Sequence, residues 1–235
     1  TADSPLSIMS CTKTITSAVI FKLKELGLLD LNTSISTYLP SFIGYGTKAN
    51  ITLKMILGHT SGIPADTPYE QNTELTIQSA ANAIGQNSTL VHPPGTAVSY
   101  SSAAFQLAAA VAEIVTGQSF KSLVNQHIFI PLGITNYYWT NTPNLGLSDS
   151  SVANPIAGYG LTMSLNQYLK FVKSLAGQGT QILNSTSRSL ILTDATGGLQ
   201  TQYGYGLIRR NTGLGNLFNG AIFEGASGCV AWLDL

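Results

Sequence analysis

The sequence predicts an α+β fold, an antiparallel sheet flanked by helices with a helical lobe over residues 30 to 160. Three observations predict it. Apolar residues recur at helical period from Ser10 to Leu29, and an Ala-rich apolar helix is readable from Ala103 to Thr116. Near the end, QYGYGLIRR, NLFNGAIF and CVAWLDL alternate or cluster apolar residues between glycines, as consecutive antiparallel strands do.

In chain order, the first helix carries Ile15, Val19, Ile20, Leu23, Leu26 and Leu28 on its apolar face, and Gly27 breaks the pattern near its end. LDLNTSISTYLPSF is turn-rich, and ITLKMILGHTSGIP reads as a short helix running into a Gly/Pro turn. Residues 73 to 86 look helical, and HPPG at 92 to 95 is a stop. Gly117 ends the Ala-rich helix, and Phe120 to Phe129 forms another before a turn at Pro131. Residues 140 to 160 read as a polar, Pro/Gly-rich loop, and Ser164 to Leu175 as a helix. No internal repeat or low-complexity linker divides residues 1–235, so a single domain is expected.

Composition narrows the class. With 44% hydrophobic residues, a chain of 235 can bury a substantial core. Charged residues make up only 9%, and 11 basic residues balance 11 acidic ones, so no long-range field favours nucleic acid or an anionic membrane. The start, TADSPLS, lacks the basic and apolar regions of a signal peptide, and a mature, soluble chain is expected. Asn-x-Ser/Thr acceptors at Asn32, Asn50, Asn87 and Asn184 point to a secreted glycoprotein. Cys11 and Cys229 make at most one bridge, and two small buried thiols are the simpler reading.

Ser10-Cys11-Thr12-Lys13 is an S-x-x-K element at the head of a helix. At i and i+3 the two side chains share a face, so the amine reaches the hydroxyl. A serine hydroxyl needs an adjacent base, and a desolvated lysine of lowered pKa is one. The helix start adds a backbone N–H and a positive dipole end for an oxyanion. Tyr100 follows HPPGTAVS and precedes the helix at Ala103, which puts a phenol on a loop. Beside an ammonium its pKa is expected to fall, so that it acts as base or as acid toward a leaving group. His59 in LGHTSG reads as structural, bonding its loop. His92 and His127 have no partners at metal-ligand spacing, so no metal is expected. Thr1 has the residue type of an N-terminal nucleophile, but a processed terminus accounts for it equally well.

The run SIMSCTKTITSAVIFKLKELGLLDLNTSISTYLPSF, then ITLKMILGHTSGIP and HPPGTAVSYSSAAFQLAAAVAEIVTGQSF, resembles the class C β-lactamase and penicillin-binding-protein family. This family of serine hydrolases includes D-aminopeptidases, lactamase-like esterases and fungal acyltransferases. IFIPLGITNYYW, YGYGL and GASGCVAWLD resemble further family signatures, so the likeness covers nearly the whole chain. The resemblance implies a β-lactamase/transpeptidase-like fold, Ser10 as acylated nucleophile, Lys13 as proton acceptor and Tyr100 as the third catalytic group. It implies that the N–H groups of Ser10 and Ala226 hold the oxyanion, and that no metal or organic cofactor is needed.

Departures from the family pattern redirect the substrate. Ser102 stands where the second motif usually ends in Asn; its hydroxyl can bond a substrate amide or Lys13. The third motif usually supplies a cation, and here the aligned triplet is Phe223-Glu224-Gly225. Without that anchor for a substrate carboxylate, the expectation is a small-molecule or peptide carbonyl substrate turned over by esterase or amidase/peptidase-like chemistry, not a penicillinase. Family members also carry strands before the nucleophile helix and a strand plus a long helix after the third motif. With Ser10 near the start and Gly225 near the end of the sequence, the expectation is either a truncated or naturally reduced chain with a smaller sheet or strands supplied by another polypeptide, with an open edge available to a partner chain or to self-association. The competing reading is a catalytically inactive scaffold of the same fold that acts as a binding protein.

Overall fold

The computed structural model describes residues 1–44, 46–140, 152–211, 219–224 and 230–234, and side chains through residue 209. Its centre is helix α1 (Thr12–Glu25), buried on all sides from Thr12 to Phe21. A helix with polar residues in such a position must satisfy them internally. Its threonines do this by tying it to distant segments. Thr14 Oγ1 donates to the Gly206 carbonyl at 2.8 Å, Thr16 Oγ1 donates to Ala157 at 2.7 Å, and Thr12 Oγ1 accepts from Leu161 N–H at 3.2 Å.

Helix α4 (Ala103–Thr116) packs beside it, and α2 (Leu53–Leu57) and α3 (Ile77–Asn87) pack on α4. Small side chains let α4, buried from Ala103 to Ala112, lie close to α1, α2 and α3 at once. Side-chain caps set the helix starts: Thr52 accepts from Met55 N–H at 3.2 Å and Thr76 from Ser79 N–H at 3.2 Å. Beyond α4 come α5 (Phe120–Val124) and α6 (Ile130–Leu132), joined by a wider π-type turn over Asn125–Phe129. Then follow α7 (Leu165–Leu175) and α8 (Ser185–Ile191).

Among the described residues, six short strands, β1 (Leu6–Ser7), β2 (Tyr137–Trp139), β3 (Leu161–Met163), β4 (Ile208–Asn211), β5 (Asn219–Glu224) and β6 (Val230–Asp234), form two antiparallel sheets. One has the order β1-β3-β2 and the other β4-β5-β6, the second in the register Ile208↔Ile222 and Ile222↔Trp232. The C-terminal meander is the one the alternation predicts. The first sheet is additional: strands of two or three residues are too short to show a period.

Other departures have local causes. Helix α1 stops at Glu25, because Gly27 turns left-handed (φ 73°), which leaves Leu26 and Leu28 outside, 52% and 44% exposed. Helix α3 starts at Ile77, where the Thr76 cap lies. The chain stays helical through Pro131 and ends at left-handed Gly133; the π-type turn precedes the proline, which has no N–H for a regular ladder. Helix α8 is capped by Asn184, whose Oδ1 accepts from Ser187 N–H at 2.9 Å. Residues 152–160, expected as polar loop, are largely buried, and Asn154 to Gly160 entirely so.

Candidate active site

Ser10 lies in a one-turn 3-10 segment (Met9–Cys11) that runs straight into α1. The chain enters through Ile8, whose N–H bonds the Leu161 carbonyl at 2.9 Å, and through Met9, held at φ 46°. A non-glycine residue in that region is strained, and here it turns the backbone sharply just before Ser10.

One helical turn on, Lys13 is 1% exposed, and its amine has three oxygen neighbours. Nζ is 3.2 Å from Ser10 Oγ, 3.1 Å from Ser102 Oγ and 2.9 Å from the Gly158 carbonyl. Burial brings its pKa down to about 7, opposed in part by the charge of Asp66. A neutral amine has two hydrogens and one lone pair. The Gly158 carbonyl can only accept, so one hydrogen goes there. With the second donated to Ser102 Oγ, the lone pair is left for the hydroxyl proton of Ser10. Protonated, the same nitrogen has a donor for each oxygen. The cage therefore accommodates both states without moving.

Gly158 reaches this position because it is glycine. A Cβ there would lie 2.7 Å from the Ser102 carbonyl oxygen and 3.2 Å from Ser102 Cα. An amide pair behind it holds the segment: Gln106 Nε2 donates to Asn154 Oδ1 at 2.6 Å and to the Pro155 carbonyl at 3.0 Å, while Gln106 Oε1 accepts from Ala157 N–H at 3.0 Å. On another side of Lys13, Gly206 approaches the backbone of α1 so closely that a Cβ would sit 2.8 Å from the Lys13 carbonyl oxygen.

Tyr100, 38% exposed, presents its ring face to the Lys13 amine, 4.6 Å from Nζ to the centroid. Its loop is pinned to the turn around His59. Ser99 N–H bonds the His59 carbonyl at 2.9 Å, Gly95 N–H bonds Thr60 at 2.7 Å, and Val91 N–H bonds Gly62 at 2.8 Å. Contrary to expectation, the phenol pKa is pushed up to about 12: burial outweighs the hydrogen bond with Ser10, which pulls it down. Burial also leaves the nearby Lys13 amine only half charged at neutral pH, so it offers the phenolate a weaker partner than a full ammonium. At neutral pH the phenol of Tyr100 therefore keeps its proton.

Ser10, Lys13, Tyr100 and Ser102 thus converge, as the sequence reading required. Phe223 and Glu224 lie on β5, with side chains outside the described residues, and so do Gly225, Ala226 and Cys229. Cys11 is buried at the start of α1. Asn32, Asn50, Asn87 and Asn184 are all exposed, although Asn184 also serves as the α8 cap. Thr1 is exposed and bonded to Ser4. His92 Nδ1 pairs with the Pro93 carbonyl at 2.9 Å. Among the described residues, no helix is long and apolar enough to cross a membrane, and no three His, Cys, Asp or Glu residues gather as a metal site. Gly158, Gln106 and Asn154 were not anticipated; the Gly-x-Gly of AGYG, a spacing that permits close backbone approach, is the signal that would have pointed to the first.

The family profile described as Beta-lactamase matches residues 1–234. "Protein flp" of Staphylococcus aureus (strain MW2) is 30% identical over 210 residues, 76% of this chain and 42% of that protein. "Penicillin-binding protein 4" of Amycolatopsis lactamdurans is 29% identical over 140 residues, 57% of this chain and 36% of that protein. The chain thus spans less than half the length of these relatives. Among solved structures, a candidate beta-lactamase of Bacteroides dorei DSM 17855 superposes with a TM-score of 0.83 at 25% identity, over all of this chain and 75% of that one. The octameric penicillin-binding protein homologue of Pyrococcus abyssi gives 0.76 at 21%, over 99% and 59%.

Proposed function

The chain belongs to the beta-lactamase family, and from that premise we propose that it is a serine hydrolase that forms an acyl-enzyme on Ser10 and acts on neutral esters or amides. The observation that carries this reading is the buried Lys13 amine, with a pKa near 7, at 3.2 Å from Ser10 Oγ. A base of that pKa is half unprotonated at neutral pH and strong enough to take a hydroxyl proton as the bond to carbon forms.

In the proposed cycle, Lys13 accepts the Ser10 proton while Oγ attacks the carbonyl carbon. The N–H groups of Ser10 and Ala226 are assigned to the oxyanion, in line with the family resemblance. Tyr100 protonates the leaving atom, and the Lys13 ammonium beside its ring restores the phenol. Water, activated by the regenerated Lys13, then releases the acyl group. Ser102 supports the cycle by holding one Lys13 hydrogen. Phe223, Glu224 and Gly225 are proposed to line the substrate cleft, and a cleft wall without a cation favours neutral acyl groups over carboxylates. We further propose a single domain over residues 1–235 with a helical lobe over 30 to 160, and a secreted location with glycans on the four exposed acceptor asparagines.

The test is intact-mass analysis after incubation with a fluorophosphonate and, separately, p-nitrophenyl butyrate, with the modified peptide sequenced. One adduct, on Ser10 and absent in Ser10→Ala, is the expected outcome. No adduct on folded protein would instead favour the inactive-scaffold reading.

A further inference from the structure

The sequence reading gave His59 only a loop-bonding role, yet it is a buried residue, 2% exposed, with an unusual set of engagements. Its backbone is left-handed (φ 59°), a region that non-glycine residues seldom occupy and hold only when the surroundings enforce it. Its carbonyl takes Ser99 N–H at 2.9 Å, and its Nδ1 takes Ser101 N–H at 3.2 Å. Its ring stacks on Tyr100 with centroids 4.4 Å apart and planes 28° from parallel. One residue thus grips the residue before Tyr100, the residue after it and the ring itself.

We propose that His59 is the positioning residue of Tyr100, fixing the angle at which the phenol meets Ser10 and a departing group. The inference rests on the acyl-enzyme reading above and assigns the part of that site which aims the proton donor. Tyr100 needs such a holder, because it sits on a loop and is 38% exposed, so core packing does not immobilise it. The accepting Nδ1 requires the imidazole to be neutral, with its proton on Nε2; burial, aided by the Lys13 charge, drives the His59 pKa down to about 3 and keeps it so. The ring is itself braced by Phe105, 5.6 Å away, and edge-on by Tyr203 at 5.5 Å. These rings tie the Tyr100 loop to α4 and to the strand-bound C-terminal part of the chain.

Two variants separate positioning from scaffolding. His59→Asn suits the left-handed backbone and offers Oδ1 in place of Nδ1, but removes the stacked ring; His59→Gly suits the backbone and removes both. The readout is the ratio of kcat/KM for ethyl butyrate, whose alkoxide must be protonated as it leaves, to that for p-nitrophenyl butyrate, whose phenolate need not be. His59→Asn should lower the ratio about tenfold and His59→Gly about a hundredfold, a share of what a general acid contributes. In a Tyr100→Phe background, His59→Asn should leave the ratio unchanged, as two residues acting through one step require. Parallel losses on both esters, or a further fall of the ratio without the phenol, would overturn the role of His59 while leaving the hydrolase reading intact. A wild-type chain inert toward both esters would overturn the hydrolase reading and this proposal with it.

Discussion

Lys13 Nζ lies 2.9 Å from the carbonyl oxygen of Gly158, a contact between residues 145 apart in sequence. A carbonyl has no hydrogen to give, so this bond assigns one amine hydrogen and helps to turn the lone pair toward Ser10. A flexible four-carbon side chain thereby becomes a directed base. The burial that excludes water from it also supplies its low pKa.

With Lys13 as base, kcat/KM for p-nitrophenyl butyrate should rise with pH along a single limb centred near 7, as the amine loses its proton. Lys13→Met should remove the limb and lower the rate at pH 8 by about a thousandfold. A limb that survives in the variant would assign the titration to another group.

Replacing Gly158 by Ala pushes a methyl group against the Ser102 backbone, where a Cβ would lie 2.7 Å from the carbonyl oxygen. Overpacking of this kind should cost about 2 kcal/mol of stability. Because Ser102 and the Gly158 carbonyl both hold the amine, esterase rate should fall as well. A denaturant midpoint and kcat close to wild type would show that the backbone relaxes freely there.

The amide of Gln106 satisfies Asn154 Oδ1, the Pro155 carbonyl and Ala157 N–H. Gln106→Leu keeps the volume and leaves these buried groups unpaired, so the protein should lose about 3 kcal/mol, read from urea unfolding. A neutral effect would mean that water replaces the amide.

Two buried bases make stability depend on pH in predictable windows. His59 takes a proton at an ordinary pKa when unfolded but only near 3 when folded, so its contribution to stability is complete above about 6.5 and is lost as pH falls toward 3. Lys13 behaves alike at higher pH: its unfolded form is protonated up to about 10.4, so stability should rise with pH from near 7 toward that value. Urea midpoints at pH 7 and 9 should increase for the wild type relative to Lys13→Met. Equal shifts in the two proteins would refute the buried-amine account.

Much of this arrangement was legible beforehand. The apolar period of Ile15, Val19, Ile20 and Leu23 located α1, the run from Ala103 located α4, and the glycine-bounded segments located β4, β5 and β6. The i, i+3 spacing of Ser10 and Lys13 was enough to predict their contact, because helix geometry alone brings them together. Tyr100 was noticed from its place on a loop before a helix, but only the family resemblance raised it above the other tyrosines and brought in Ser102.

What the sequence determined by itself is therefore what neighbouring residues settle among themselves: helix faces, strand alternation, and a serine one turn ahead of a lysine. Only the tertiary structure decided that Lys13 is caged by Ser102 and Gly158, that Tyr100 keeps its proton, and that the His59 ring stacks on the phenol. Backbone carbonyls and desolvation carry no residue-type signature. They act only once segments far apart in the chain exclude water from one another, and the direction of each pKa follows from that exclusion.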